Sequence, residues 1–153
     1  MRDRSNPVNG DAPSNVLFET WLTGRAAIAL LDRALASSDL DAEDFAVYSV
    51  LRQAGEISPG ELARWMSAPA TTVSSHVKRL VARGHVRQVP HPGDRRSHRL
   101  TLTDAGRHAH TSAGRHFSPA LAAVEAALPR PSGDVQQALR DLHGAIGEAA
   151  GRV

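Results

Sequence analysis

The stretch from Ser58 to Thr103 leaves the chain few ways to fold. "SPGELARWM" carries the signals of a helix start: Ser58 as N-cap, Pro59 in the first helical position and Glu61 three residues after the cap, the pattern of a capping box. "SAPA" interrupts this helix early, and a second one follows as "TTVSSHVKRLVARG". Val73, Val77, Leu80 and Val81 recur on one of its faces, and Gly84 is its stop. "HVRQVP" then alternates, "HPGD" turns, and "SHRLTLT" alternates again, which predicts a β-hairpin. Two short helices joined by a tight turn, with a hairpin directly after them, read as a helix-turn-helix with a wing.

Helices are expected on both flanks. After a disordered tail over 1–14, an apolar seam runs through Leu17, Trp21, Gly24, Ile28, Leu31 and Leu35 at helical spacing. Asp41 caps a further helix, "AEDFAVYSVLRQAG", which Gly55 closes. Thr103 caps a long helix with Ala109, Ala113, Phe117, Leu121, Val124 and Leu128 on one face, and Pro119 within it predicts a kink or a restart. The last helix repeats the pattern through Val135, Leu139, Leu142 and Ile146. The expected class is mainly α with a small β-hairpin wing. The expected layout is one domain over 15–153: a winged helix-turn-helix over 41–103, with dimerisation helices over 15–40 and 104–153. The terminal seams are more apolar surface than a single chain of this layout covers, so a homodimer is expected.

Charge narrows the function. The chain carries a net +2, yet between Arg64 and Arg99 it holds eight basic residues and a single acid, Asp94, a local charge of +7. Positive charge gathered on the helix-turn-helix and wing, and offset elsewhere, suits a polyanionic partner. Cysteine is absent, which excludes a disulfide framework and thiolate metal sites. Eight histidines are present, but His108 and His110 point apart on a helix and no H-E-x-x-H spacing occurs. There is no Ser/His/Asp set, P-loop or dinucleotide fingerprint, so neither catalysis nor a cofactor is expected. No stretch is long and apolar enough to span a membrane, and the N-terminal run lacks the apolar core of a signal peptide; a cytoplasmic location is the expectation.

The stretches "ELARWMSAPATTVSSHVKRLVARGHV" and "PHPGDRRSHRLTLTDAG" resemble the MarR (multiple antibiotic resistance regulator) family of winged-helix proteins. The likeness lies in an Asp-x-Arg across the wing tip, here Asp94 and Arg96, and in a strand end running into Thr-x-x-Gly, here Leu102, Thr103 and Gly106. His76 and His85 depart from it, standing where the family usually has apolar residues. The resemblance implies a homodimeric transcriptional regulator, commonly a repressor released by a small ligand. Its two recognition helices would enter successive major grooves of double-stranded DNA at a pseudo-palindromic operator.

The candidate DNA-binding residues are Pro69 and Ala70 at the helix entry, Thr71, Thr72, Ser74, Ser75, Lys78 and Arg79 along the recognition helix, and Asp94, Arg95 and Arg96 at the wing tip. Short hydroxyl side chains approach base edges and phosphates, although the same residues also serve as ordinary caps. Lys78 and Arg79 suit phosphate clamps, with Arg79 equally suited to pairing a neighbouring acid. A wing arginine gains most in the narrow minor groove, and Asp94 suits orienting Arg96 or closing the turn. The resemblance also implies a ligand pocket between dimer helices and winged domain. Trp21, Arg25, Tyr48 and Arg52 are the residues placed near it, for a small aromatic acid or phenolate; seam packing and surface arginines account for them equally well. The other reading of the chain is a winged-helix interaction module that docks RNA or an acidic protein.

Overall fold

The computed structural model describes residues 14–91 and 93–152, without the side chains of residues 91 and 94–96. Six helices and one hairpin follow in the expected order: α1 (Val16–Leu35), α2 (Ala42–Ala54), α3 (Pro59–Met66), α4 (Ala70–Ala82), β1 (Val86–His91), β2 (Asp94–Leu102), α5 (Asp104–Ala127) and α6 (Ser132–Ala150). The expected caps are in place. Asp41 Oδ1 accepts from the Asp44 amide at 2.7 Å, and Ser58 Oγ accepts from the Glu61 amide at 3.2 Å. The Glu61 carboxylate returns the bond by accepting from the Ser58 amide at 2.7 Å, which holds its pKa below the ordinary carboxylate value. Asn15 caps α1, its Oδ1 accepting from the amides of Leu17 and Phe18.

The core lies where α2, α3, α4 and the hairpin meet, around Val47, Tyr48, Leu51, Leu62, Leu80 and Leu100. The strands pair antiparallel from Val86 opposite Leu102 to Pro90 opposite His98, and the register shifts at His91. One feature had no sequence signal: Ile57, just before α3, forms a single antiparallel bridge with Leu100, exchanging bonds of 3.2 and 2.7 Å. That bridge ties the entry of the helix-turn-helix to the base of the wing. At the same base, Thr103 Oγ1 donates to the Gly84 carbonyl at 2.6 Å and accepts from the Gly106 amide at 3.1 Å.

One expectation needs correcting. α5 runs unbroken through Pro119, so there is no restart there; Ser118 Oγ donates back to the Gly114 carbonyl at 2.7 Å on the preceding turn. The seam of α1 is largely uncovered within the chain, in line with the expectation for the terminal seams. Leu35 is buried, but Leu17, Trp21 and Ile28 are more than half exposed. On α5 only Ala113 is fully buried among the seam residues, and α6 buries none.

Candidate nucleic-acid interface

The sequence of α4 divides its surface into three faces. Val73, Val77 and Leu80 enter the core; His76, Arg79 and Arg83 turn toward α2; Thr71, Ser74, Ser75 and Lys78 face solvent, with Thr72 beside them. Pro69 and Ala70, at the entry, are exposed as well. Pro69 occupies the N-cap position and α4 has no side-chain cap, so the hydroxyls of Thr71, Thr72, Ser74 and Ser75 are not spent on capping. The helix therefore presents first-turn amides without a side-chain acceptor, a row of short hydroxyls and one lysine to solvent. Such a helix start attracts phosphate, and short polar side chains let a backbone lie deep in a groove.

Arg79 takes the second of the two roles open to it. Its guanidinium donates to both oxygens of Asp44, at 2.9 and 2.7 Å, and this pairing raises its pKa above the ordinary arginine value. Arg83 donates to the same carboxylate at 2.6 Å, and Arg99 donates to the Glu56 carbonyl at 2.9 Å. The basic segment thus spends part of its charge inside the fold, while Arg64, Lys78 and Arg87 face solvent. Asp44 itself gave no sequence signal, because an acid in the first turn of a helix reads as a dipole partner. The side chains of Asp94, Arg95 and Arg96 lie outside the described residues; their backbone begins β2.

Of the four residues placed near a ligand, the structure brings two together. The Arg25 guanidinium stands 5.8 Å from the centre of the exposed Trp21 ring, on which Phe18 also stacks. Tyr48 is instead a core residue with no exposed surface; its hydroxyl lies 2.8 Å from His85 Nδ1, and burial pushes its pKa up. That position removes Tyr48 from any open pocket, because a buried hydroxyl takes whichever partner the core offers. Arg52 sits apart, within 3.5 Å of Thr111 Oγ1. A cleft of about 790 Å³ opens elsewhere, between α3 and α6, lined by Ile57, Glu61, Arg64, Trp65, Leu139, Arg140 and His143. Among the described residues no group of histidines and acids is placed to hold a metal ion, and no helix is long and apolar enough to cross a membrane.

A two-helix unit with its second helix bared, a hairpin behind it and long helices at both ends define a winged helix-turn-helix protein. The model of the MarR family matches residues 38–97, the segment that carries the helix-turn-helix and most of the wing. It is 34% identical over 79 residues to the HTH-type transcriptional regulator PecS of Dickeya dadantii, a match that takes in 50% of this chain and 48% of PecS. The chain thus spans about half the length of that relative. Against the multiple antibiotic resistance protein MarR of Salmonella typhimurium it is 29% identical over 106 residues, 69% of this chain and 72% of that one. The fold is shared with the M. tuberculosis transcriptional regulator MOSR, solved in complex with DNA, at a TM-score of 0.76 and 24% identity, over 89% of this chain and 98% of that one.

Proposed function

We propose that this chain is a homodimeric, sequence-specific DNA-binding regulator of transcription in the cytoplasm, a repressor that a small ligand releases. The observation that carries the reading is the solvent face of α4, where Thr71, Ser74, Ser75 and Lys78 stand uncommitted beside a helix start with no side-chain cap. In this reading α4 enters the major groove and Lys78 meets the backbone. Arg95 and Arg96 of the wing reach into the adjacent minor groove, with Asp94 steering Arg96. A second copy covers the apolar faces of α1, α5 and α6 and places a second α4 one helical turn of DNA away. The ligand is a small aromatic acid or phenolate, its ring on Trp21 and its negative charge beside Arg25. PecS and MOSR, both transcriptional regulators by name, support the class of function, and the MOSR complex supports DNA as the partner of this fold.

Selection from a random duplex pool tests the reading. The enriched sequences should form an inverted repeat with half-sites about 10 base pairs apart, and should be bound roughly 10³-fold or more tightly than a scrambled duplex. A pool that shows no enrichment, together with binding to single-stranded RNA or to an acidic protein, would favour the interaction-module reading instead.

A further inference from the structure

Asp44 is 1% exposed, the most deeply buried acid among the described residues, and α2 delivers it directly against the recognition helix. Its amide is held by Asp41, and the first turn of a helix favours its negative charge. Both carboxylate oxygens are turned to α4. Arg79 takes them bidentately at 2.7 and 2.9 Å, Arg83 donates to Oδ2 at 2.6 Å, and His76 Nε2 lies 3.1 Å from Oδ1. Residues 76, 79 and 83 recur on one side of a helix, so a single carboxylate fixes both the rotation and the pitch of α4. A buried carboxylate persists only when its lone pairs are met, and charge-assisted bonds of this kind meet them.

The same pairing changes what α4 offers to DNA. The side chains of Arg79 and Arg83 remain 44% and 39% exposed, so burial does not keep them from a phosphate. Their neutralised charge and fixed position do. We propose that Asp44 is a positioning residue that sets specificity: it withholds Arg79 and Arg83 from the DNA backbone, so that α4 reads through Thr71, Ser74, Ser75 and Lys78 with little sequence-independent attraction. The proposal rests on the DNA-binding reading above. Its reason is that cations which reach phosphates strengthen binding to every sequence alike, and so erode the ratio between operator and random DNA.

The test measures binding of the full chain to a mixed-sequence duplex as salt is raised, for wild type, Asp44→Asn and Arg83→Gln, with folding checked by circular dichroism. Each phosphate neutralised adds about 0.9 to the steepness of log affinity against log salt, so one arginine freed in each subunit adds about 1.8 per dimer. Asp44→Asn should steepen the dependence by at least that amount and bind the mixed duplex more tightly at low salt, an outcome that mere loosening of the fold would not give. Arg83→Gln should leave the wild-type slope unchanged. A slope flattened by about 1.8 in Arg83→Gln overturns the proposal, because that arginine would then already hold a phosphate. So does a folded Asp44→Asn with the wild-type slope. If Asp44→Asn does not fold, Arg83→Gln alone decides. A wild-type protein that binds no duplex at any salt fails the DNA-binding reading first and takes this proposal with it, a result separate from either slope.

Discussion

His76 and His85 stand where the MarR family, which the winged-helix stretch resembles, usually has apolar residues, and each faces a polar group that α2 carries into the core: Asp44 for His76, Tyr48 for His85. The sequence shows the two substitutions but not their reason, because the partners are brought close only by the packing of α2 against the helix-turn-helix. His110 is a third case. Its ring stacks on Phe45 at 4.9 Å, and its Nε2 lies 3.0 Å from Ser49 Oγ. That hydroxyl already donates to the Phe45 carbonyl, so Nε2 carries the proton and donates to Ser49. Burial, and then the nearby Arg52 charge, hold the His110 pKa below its ordinary 6.5. The folded state therefore favours neutral His110. Its contribution to stability is whole above pH 6.5 and is lost as the pH falls from there through the lower folded value. Thermal melts of wild type and His110→Phe between about pH 7.5 and 5.5 should show a steeper loss in wild type; parallel losses would remove His110 as the cause. Gly106 is needed for a different reason. A Cβ there would stand 2.1 Å from the His85 carbonyl oxygen, a contact with backbone that a side-chain rotation cannot relieve. Gly106→Ala should cost about 1–3 kcal/mol or more in a denaturant melt. An unchanged midpoint would mean that α5 shifts freely on the wing.

At the scale of elements, local chemistry was the most legible part of the sequence. Ser58, Pro59 and Glu61 marked the start of α3 because a capping box is complete within four residues. Ser58→Ala should cost about 1 kcal/mol, read from the shift in denaturant midpoint; no shift would mean that the box contributes nothing to the fold. The hairpin was legible for the same reason, with valines and threonines alternating around a Pro-Gly turn. The Ile57–Leu100 bridge was not, since a bridge of one residue leaves no periodicity to find. Pro119 suggested a kink or a restart because proline is a strong helix breaker, yet a long helix held by Ala109, Ala113 and Phe117 against α2 stays helical past one missing donor. Of the candidate DNA-binding residues, the exposed face of α4 was legible from the helical period and the polar choice of side chains. The commitment of Arg79 was legible only as one of two roles, because its partner, Asp44, comes from another helix.

The whole molecule leaves apolar surface bare at its ends. Trp21 and Ile28 on α1, Leu121 and Val124 on α5 and Leu139 on α6 are all exposed, a pattern that in a single chain invites association. Sedimentation at micromolar concentration should give twice the chain mass, and a stable monomer would contradict the dimer. In the proposed reading, such a dimer would set two copies of α4 on one side of the assembly for a duplex to meet. Within the basic segment, Arg64, Lys78 and Arg87 stay exposed after the internal pairing, on the helix-turn-helix and its wing. The central claim is that the solvent face of α4 is the surface that meets DNA, and Ser75→Asp tests it most directly. Ser75 is exposed and makes no side-chain contact that the fold needs. The melting temperature and the dimer should therefore stay as they are, while a carboxylate placed at each DNA backbone repels it. Titrating wild type and Ser75→Asp against the selected duplex at one salt concentration should show binding lost in the variant. Equal affinity for the two proteins would contradict the account.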